Sequence, residues 1–206
     1  MRCVDLVSWP RREIYEFFSQ SEHPFYSMTF QLDVSHLTTW AKQEGLSFYY
    51  ALVYLCTKAI NEVEAFRYDL RDDQVVILPR REPSFTDLKK DAEAFHIVTM
   101  PAGDDLREFC RKAREKSQAQ PFFLDMEAEC GSLIYFSCVP WVELTSLTNE
   151  GDLAPDDTVP RIAWGKYVPR DGKMMLGMSV EVNHRFIDGL HVGRFVQALE
   201  RMMAAL

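Results

Sequence analysis

The fold of this chain is decided by one stretch of its sequence, Val182-Asn183-His184-Arg185-Phe186-Ile187-Asp188-Gly189-Leu190-His191. Before this stretch, apolar residues alternate with other residues from Met174 onward, which is typical of a strand with one buried face. After it, apolar residues recur at helical spacing as far as Met202. The stretch is therefore predicted to be a turn from a long strand into a final helix that begins near Gly189.

His184 is the next position on the apolar face of that strand. Side chains of a strand alternate between its two faces, so His184 continues the row that runs from Met174 to Val182. A buried imidazole without an opposite charge stays neutral and keeps one ring nitrogen free to accept a proton. This is the state that a general base needs. The alternative is a core histidine that is hydrogen-bonded to the backbone.

Asp188 has more than one possible role, because it precedes a glycine and a helical pattern. On local sequence it is the N-cap of the last helix. His184, Asp188 and His191 also offer three side chains that could bind a metal ion, but a single strand-turn-helix cluster lacks a diagnostic spacing. We therefore predict a site without a metal and keep the metal site as an alternative.

Ser137 places a hydroxyl in the otherwise apolar strand Tyr135-Phe136-Ser137-Cys138-Val139-Pro140-Trp141. A buried hydroxyl commonly bonds to the backbone. Its functional alternative is a donor aimed at a developing oxyanion. No G-x-S-x-G motif surrounds Ser137, which argues against a hydrolase nucleophile. The sequence also lacks the P-loop and G-x-G-x-x-G motifs that are typical of nucleotide-binding enzymes.

The rest of the chain mixes strand and helix patterns. Helices are predicted after Pro10, between the N-cap Ser35 and the stop at Gly45, over 48–66 after the N-cap Ser47, over 104–118 and from Gly189. Strands are predicted over 28–34, 66–70, 74–78, 84–88, 95–100, 133–139, 161–168 and 173–183. Because regular βαβ alternation is absent, we predict an α+β fold in which helices cover a sheet. No linker or repeat divides the sequence, so a single domain is predicted over residues 1–206.

The composition is that of a globular protein with an acidic balance. Asp and Glu number 31 against 23 Lys and Arg, and the formal charge of −8 argues against nucleic acid or an anionic membrane as a partner. No apolar run approaches the roughly 20 residues that span a bilayer. The start of the sequence carries no apolar leader, so a cytoplasmic location is predicted. The cysteines lack C-x-x-C spacing and are predicted to be reduced, mostly buried thiols: Cys3, Cys56, Cys110, Cys130 and Cys138.

The stretch from Asn183 to His191 resembles the C-terminal signature of the chloramphenicol acetyltransferase family, His-His-x-x-x-Asp-Gly-x-His. Further landmarks resemble family motifs in the family's order: Trp9-Pro10-Arg11-Arg12-Glu13, Phe48-Tyr49, Ser137-Cys138-Val139-Pro140-Trp141 and Gly165-Lys166-Tyr167. The resemblance thus covers nearly the whole chain. It implies the family's fold, which is a two-layer sandwich of a mixed β-sheet with covering helices.

The resemblance also implies an activity and a role for the motif residues. It implies a homotrimer with active sites between subunits, in which acetyl-CoA is a co-substrate and no cofactor is permanently bound. The acetyl group moves to a hydroxyl of a small-molecule acceptor in a ternary complex, with His184 as general base and Ser137 as oxyanion donor. Asp188 is implied to pair with Arg11 and to hold the loop of the base in place.

Aromatic side chains are implied at both binding sites. For coenzyme A the family positions are Tyr49, Trp141 and Tyr167, whose rings could cover the pantetheine arm or the adenine. For the acceptor they are Phe18, Tyr26 and Phe95, a lining suited to an aryl or other apolar molecule. Core packing is the alternative for each of these residues.

The sequence also departs from the family pattern. Asn183 replaces the first signature histidine, Ala163 replaces a threonine near the reaction intermediate, and Ser47 replaces a lysine that can precede Phe-Tyr. Tyr135 and Glu22 differ as well, Glu22 at a position that is apolar in the drug-binding wall. The family's activity implies chloramphenicol as acceptor and a role in antibiotic resistance. The departures leave acyl transfer intact and the acceptor open.

Two other functions fit the same residues. The stretch from Asn183 to Gly189 resembles the Asp-His-Arg-x-x-Asp-Gly motif of dihydrolipoamide acyltransferases, which share this fold and this base. That function predicts lipoyl and peripheral-binding domains on Ala/Pro-rich linkers, which these 206 residues lack. The other function is a catalytically silent trimer that binds and sequesters a ligand.

Overall fold

The computed structural model describes residues 1–129, 131–150 and 156–206 and has a seven-stranded sheet at its centre. The strands are β1 (Arg2–Cys3), β2 (Phe25–Asp33), β3 (Tyr68–Arg71), β4 (Gln74–Ile77), β5 (Glu82–Asp87), β6 (His96–Thr99), β7 (Leu133–Val139), β8 (Arg161–Gly165), β9 (Val168–Arg170) and β10 (Lys173–Asn183). The helices are α1 (Arg12–Phe18), α2 (Ser35–Glu44), α3 (Phe48–Glu62), α4 (Leu106–Ala119) and α5 (Gly189–Ala204), with a 3₁₀ turn over Glu64–Arg67. None of the described helices has the length and apolar character needed to cross a bilayer.

The main sheet is mixed, as predicted. Its strand order is β2-β10-β8-β7-β5-β6, and β9 pairs with one end of β10. Strand β7 runs parallel to β5 and to β8, whereas the other neighbours are antiparallel. A second, small antiparallel sheet has the order β1-β4-β3. With helices packed on the main sheet, the predicted α+β class is confirmed.

Helix α3 lies at the centre of the core because it is apolar on nearly all sides. Ten of its 15 residues are buried. It packs against α4, α5 and β5, and each large apolar side chain that it buries stabilises the fold by roughly 1.5–3 kcal/mol. Its N-cap is Ser47, whose hydroxyl accepts from the backbone N–H of Tyr50, as predicted. The preceding helix ends as predicted at Gly45, which has a left-handed φ of 67°.

The other face of the sheet is crossed by residues 140–149, here called the cover segment. Leu144 of this segment is buried, and a Cβ placed on Gly177 of β10 would lie 2.0 Å from its carbonyl oxygen. The hydroxyl of Ser179 donates to the carbonyl of Leu147 at 2.9 Å. The cover segment therefore rests directly on the backbone of β10, and glycine permits this close approach.

The predicted strand over 161–168 is interrupted by this packing. Strand β8 ends at Gly165, and the N–H of Lys166 then donates to Val142 of the cover segment at 2.7 Å. The tight hairpin joins β9 to β10 instead, with Asp171 and Gly172 at φ of 51° and 78°. A contact from a distant part of the chain thus divides a strand that local pattern predicts as continuous.

Two further predictions are corrected by local geometry. Ser35 is not an N-cap but the first residue of α2, because its hydroxyl donates to Asp33 at 2.6 Å. The helix predicted over 48–66 ends at Glu62, since Val63 adopts extended dihedral angles of −101° and 104°. The remaining predicted elements are present: β7 and β10 have the predicted ends, and others are shifted by a few residues.

The described cysteines are free thiols. Cys56 and Cys110 are buried, Cys138 is half-buried and Cys3 is exposed. Burial raises the pKa of Cys110 and of Cys138 to about 12. Cys130 lies outside the described residues.

Candidate active site

The turn after β10 holds His184 at the edge of the core. Strand β10 ends at Asn183, and the N–H of His184 donates to the carbonyl of Pro24 at 2.6 Å, which extends the pairing with β2. Residues 184–188, here called the clamped loop, then lead into α5, whose N-cap is Asp188. The position of His184 is therefore tied to the edge of the main sheet.

The ring of His184 contacts two aromatic side chains. The ring centroids of Phe18 on α1 and Tyr26 on β2 are 4.1 Å and 4.6 Å from that of the histidine. Its Nδ1 is buried and has no hydrogen-bond partner within the described ranges. The alternative of a core histidine whose ring is bonded to the backbone is thus not what this part of the structure contains.

A second buried polar atom without a partner lies beside His184. The phenol oxygen of Tyr26 is enclosed and unpaired among the described residues. Burial, with a smaller contribution from Asp188, raises the pKa of Tyr26 to about 12, so this phenol stays protonated at neutral pH. The great majority of buried polar atoms in proteins have a partner. Two adjacent exceptions are typical of a binding or catalytic site.

Arg11 fastens the clamped loop to the start of α1. Its Nη1 lies 2.6 Å from the Asp188 carboxylate, its Nε donates to the carbonyl of Arg185 at 2.9 Å, and its Nη2 donates to the carbonyl of His184 at 3.1 Å. Only 11% of the Arg11 side chain is exposed. Arg11 therefore fixes the backbone that carries the histidine rather than the histidine ring.

Asp188 combines the two roles considered from the sequence. Besides pairing with Arg11, its carboxylate accepts from the N–H of Leu190 at 3.1 Å, as an N-cap does. His191 completes a capping box, since its Nδ1 accepts from the N–H of Asp188 at 3.1 Å. Burial by itself raises the pKa of this carboxyl group, but Arg11 and His191 outweigh it and hold the pKa below its ordinary value. Asp188 is therefore charged at neutral pH.

The alternative of a metal site has no support in this geometry. His191 uses its Nδ1 in the capping box, while the His184 ring lies against Phe18 and Tyr26. Over residues 1–129, 131–150 and 156–206, no group of three His, Cys, Asp or Glu side chains is arranged to hold a metal ion.

Ser137 lies on the sheet face that is turned away from the helices. Its neighbour Phe136 belongs to the core, and side chains alternate along a strand. Ser137 is paired with Ala163 on β8, and Ala163 with Ser179 on β10. The Ser137 hydroxyl has no hydrogen-bond partner in the described part of the chain. It is therefore available to donate to a ligand.

Ser137 and His184 lie far apart within one chain. Ser179 shares the cross-strand row of Ser137, and His184 follows well beyond it, past the end of β10. At about 3.4 Å per residue and about 4.8 Å between strands, this places the two side chains about 20 Å from each other. The two can therefore meet only across an interface between copies of the chain.

The three aromatic residues implied for coenzyme A lie toward the carboxyl ends of the parallel strands. The ring of Tyr49 packs against Trp164 of β8 at 5.5 Å, as a core residue does. Tyr167 contacts Phe48 edge-to-face at 5.0 Å and is 38% exposed. Trp141 begins the cover segment and is 70% exposed. Two of the three rings thus face the surface, and one is shared with the core.

Of the three aromatic residues implied for the acceptor, Phe18 and Tyr26 contact His184. Phe95 does not, because it precedes β6 at the opposite edge of the main sheet from β2. It is 51% exposed and packs against Phe123 at 5.5 Å. Within one chain, Phe95 is separated from the histidine, as Ser137 is.

Sequence reasoning missed the aromatic cluster that supports the clamped loop. Phe186 is 1% exposed and its ring lies 6.5 Å from Trp9, 5.6 Å from Tyr15 and 6.0 Å from Tyr68. The signal was an aromatic residue between His184 and Asp188, in a turn where a polar residue is more usual. This cluster packs the loop against the core, whereas Arg11 bonds to the loop backbone.

Asn183, which departs from the family signature, helps to build the same loop. Its Oδ1 accepts from the N–H of Arg185 at 3.1 Å, and its amide donates to the carbonyl of Asp157 at 2.9 Å. Another departure, Glu22, is exposed. Neither of these two residues contributes a group to the His184 ring.

Comparison with known sequences gives a consistent result. A family model described as chloramphenicol acetyltransferase matches residues 1–200. The relatives include chloramphenicol acetyltransferase 3 of Escherichia coli, 27% identical over 203 residues, which cover 96% of this chain and 94% of that protein. A chloramphenicol acetyltransferase of Campylobacter coli is 28% identical over 204 residues, with 97% of both chains covered.

Solved structures agree with the sequence comparison. A chloramphenicol acetyltransferase superposes with a TM-score of 0.89 at 26% identity, over 98% of this chain and 100% of that one. A dihydrolipoamide acetyltransferase of Azotobacter vinelandii shares the fold alone, with a TM-score of 0.70 at 18% identity over 93% of this chain and 86% of its own. The chain described here therefore belongs to the chloramphenicol acetyltransferase family of acyltransferases.

Proposed function

We propose that this chain transfers an acetyl group from acetyl-CoA to a hydroxyl of a small molecule, with His184 as the general base. The observation that carries the proposal is the His184 ring: among the described residues its Nδ1 has no partner, nor has the neighbouring phenol of Tyr26, and Arg11 fixes its backbone. The surrounding aromatic rings limit contact with water. General-base assistance by a positioned side chain typically contributes about 10²–10⁴ in rate.

In the proposed reaction, His184 accepts the proton of the acceptor hydroxyl while that oxygen bonds to the thioester carbonyl carbon. The carbon–sulfur bond then breaks, and His184 returns the proton to the sulfur. The products are an acetyl ester and coenzyme A with a free thiol. Both substrates are bound together, so no acyl-enzyme is needed. The raised pKa of Cys110 and of Cys138 makes these two thiols poor nucleophiles.

We propose that the Ser137 hydroxyl donates a hydrogen bond to the oxyanion that forms at the carbonyl. Loss of one such donor typically costs about 10²–10³ in rate. Because one chain keeps Ser137 about 20 Å from His184, the proposal requires more than one copy of the chain. In the proposed homotrimer, each site takes His184 from one subunit and Ser137 from the next.

The substrates are proposed to bind on both sides of His184. Coenzyme A contacts Trp141 and Tyr167, with Tyr49 beneath them. The acceptor lies against Phe18 and Tyr26, and a neighbouring subunit supplies Phe95. We propose a hydroxylated aromatic acceptor that reacts in the cytoplasm, where acetyl-CoA is available. The names of the relatives make chloramphenicol the first compound to test.

The experiment follows thiol release from acetyl-CoA with chloramphenicol, a panel of other hydroxylated aromatic compounds, and dihydrolipoamide. The parent protein is compared with His184→Ala and with a control variant, His36→Ala, whose histidine is exposed on α2. We expect His184→Ala to lose about 10²–10⁴ in kcat, and His36→Ala to match the parent.

Each outcome decides between functions. Release that depends on His184 and on a hydroxyl acceptor supports the proposal, and the acceptor used names the substrate class. Turnover within a few-fold of the parent in His184→Ala refutes the general base. Binding of coenzyme A without release for any acceptor favours the silent trimer, whereas release with dihydrolipoamide alone favours the dihydrolipoamide acyltransferase reaction.

A further inference from the structure

A groove of about 1100 Å³ runs between the N-terminal residues of the chain and the side of α5. Its lining includes Trp9, Ile14, Tyr68, Leu190, His191 and Arg194. His184, Phe18 and Tyr26 do not line it. The groove is therefore separate from the acceptor site proposed above.

One arginine of the groove is available to a ligand. The lining also contains four carboxylates, of which one accepts from a serine hydroxyl at 2.8 Å and three pair with arginines. These carboxylates are Asp5, Glu62, Glu64 and Asp188. Arg194 differs from the other arginines of the lining, because it has no hydrogen-bond or ion-pair partner in the part of the chain that the structure describes.

His191 places a second donor beside Arg194. The two residues are three positions apart on α5 and are thus neighbours on the helix surface. Because Nδ1 of His191 accepts from the N–H of Asp188, the neutral ring carries its proton on Nε2. This nitrogen is not enclosed and has no partner over the described ranges. A guanidinium and an imidazole N–H therefore line the groove side by side.

The remainder of this lining supplies apolar and aromatic surface. Leu190 and Ile14 are large apolar side chains that are 62% and 42% exposed. The Trp9 ring is half-buried, and its Nε1 donates to the hydroxyl of Tyr68 at 3.1 Å. Because these polar atoms are bonded to each other, the two rings present flat apolar surface to a ligand.

We propose that the groove is an additional ligand site, which binds a small aromatic carboxylate. The carboxylate accepts from Arg194 and from Nε2 of His191, and the aromatic ring lies against Trp9 and Leu190. A single available guanidinium matches a single negative charge, for which its fork of N–H donors is well suited. A doubly charged phosphate fits less well, since the same lining carries four carboxylates.

The test is calorimetric titration of the protein at neutral pH with 2-naphthoate and with 2-naphthamide. The two probes have the same ring system, but only the first is charged. We expect the parent to bind 2-naphthoate about tenfold more tightly than 2-naphthamide, and Arg194→Gln to bind 2-naphthoate about tenfold more weakly than the parent does. Binding of 2-naphthamide is expected to be equal in the two proteins.

The matched control is Arg12→Gln, which removes the same charge close to the groove. Arg12 is not part of the groove lining and forms an exposed pair with Glu16 at 2.7 Å. We expect this variant to bind both probes as the parent does, because its charge does not contact the ligand. Thermal unfolding verifies that both variants fold.

A second measurement follows the imidazole of His191 by NMR as pH is varied. Burial lowers the pKa of His191, and Arg11 and Arg194 lower it further, against the opposing effect of Asp188. A carboxylate bound here offsets the charge of Arg194 and accepts from the ring. We therefore expect 2-naphthoate to raise the pKa of His191 and 2-naphthamide to leave it unchanged.

The outcomes do not depend on the proposed reaction, because neither measurement involves acetyl transfer. Equal binding of 2-naphthoate by the parent and by Arg194→Gln overturns the proposal, since the acid then binds elsewhere. No binding to the parent, an equal loss in Arg12→Gln, or an unchanged pKa of His191 at saturating 2-naphthoate overturns it as well. A tenfold loss confined to Arg194→Gln and to the charged probe, with the raised pKa of His191, supports it.

Discussion

The two regions that make up the proposed site are built in opposite ways. Beyond β10, the clamped loop is held by Arg11, 11% exposed, and by the packing of its own Phe186, 1% exposed. On β7, Ser137 has a hydroxyl without a partner in the described ranges, and Trp141 just after it is 70% exposed. One region is completed by contacts within the chain, and the other is left open.

The difference follows from the rigidity of the backbone on which each functional residue lies. A histidine in a turn has little rigidity of its own, and a general base misplaced by about 1 Å can lose about 10²-fold in rate. The clamped loop is therefore held by both the Arg11 ion pair and the aromatic cluster around Phe186. Ser137 lies on a strand that is already fixed by β5 and β8, so its position needs no further contacts of this kind.

The largest effect that we expect concerns how the two regions meet. His184→Ala and Ser137→Ala are each expected to lose at least about a hundredfold in kcat. If a site takes one residue from each of two subunits, co-expression of the two variants restores complete sites. In every cyclic trimer that contains both variants, one site in three then has both residues. Thiol release by mixed trimers, purified through two different tags, measures the recovery.

The control for this experiment is co-expression of His184→Ala with the double variant His184→Ala/Ser137→Ala, in which no site has a histidine. We expect no recovery in that mixture. The activity of the mixed trimers is compared with that of trimers made of His184→Ala alone or of Ser137→Ala alone. If the mixed trimers are no more active, the result contradicts a site shared between subunits.

The second effect concerns the contacts that Arg11 makes with the clamped loop, and the neighbouring Arg12 provides a matched control. Arg11→Ala removes three contacts to the clamped loop and leaves Asp188 without its partner, so we expect the free energy of unfolding to fall by about 2–4 kcal/mol. Arg12 forms an exposed pair with Glu16, so Arg12→Ala is expected to cost at most about 0.5 kcal/mol. Urea unfolding at equal protein concentration measures both.

The same pair of variants distinguishes positioning from simple destabilisation. Below the unfolding transition, we expect Arg11→Ala to lower kcat by about tenfold or more while KM for acetyl-CoA stays unchanged. The reason is that Arg11 holds the backbone of His184 and not a substrate. A parental kcat in folded Arg11→Ala shows that the loop keeps its place without the clamp.

Much of the fold could be predicted because its central elements have strong local patterns. Strand β10 alternates without interruption, and α3 is apolar on nearly every side with Ser47 as its cap. The break between β8 and β9 could not be predicted, since it arises where Lys166 bonds to the cover segment. Ser35 was misjudged because the competing acceptor, Asp33, lies two residues away.

The candidate site was predictable in part for the same reason. The apolar face of β10 points to His184, and the glycine and helical pattern after it point to Asp188 as a cap. Arg11 carries no such signal, because its contacts with the clamped loop join opposite ends of the chain. Its role came from resemblance, whereas Ser137 was already a candidate oxyanion donor as a hydroxyl in an apolar strand.

The smallest effect that we expect concerns Gly177, the glycine on which the cover segment rests. Gly177→Ala places a Cβ 2.0 Å from the Leu144 carbonyl oxygen. This overlap is relieved only if the backbone of the cover segment or of β10 moves. We expect the free energy of unfolding to fall by about 1–3 kcal/mol, the usual cost of overpacking. We also expect KM for acetyl-CoA to rise, since Trp141 belongs to the segment that must shift.

Gly193→Ala is the control that makes this result specific, because a Cβ there meets nothing within 4 Å and the residue lies inside α5. Alanine is the better helix former, so we expect this variant to gain about 0.5–1 kcal/mol. The same substitution, glycine to alanine, is thus expected to lower the free energy of unfolding at position 177 and to raise it at position 193. If Gly177→Ala is as stable as the parent, the cover segment is not held on β10 by this close approach.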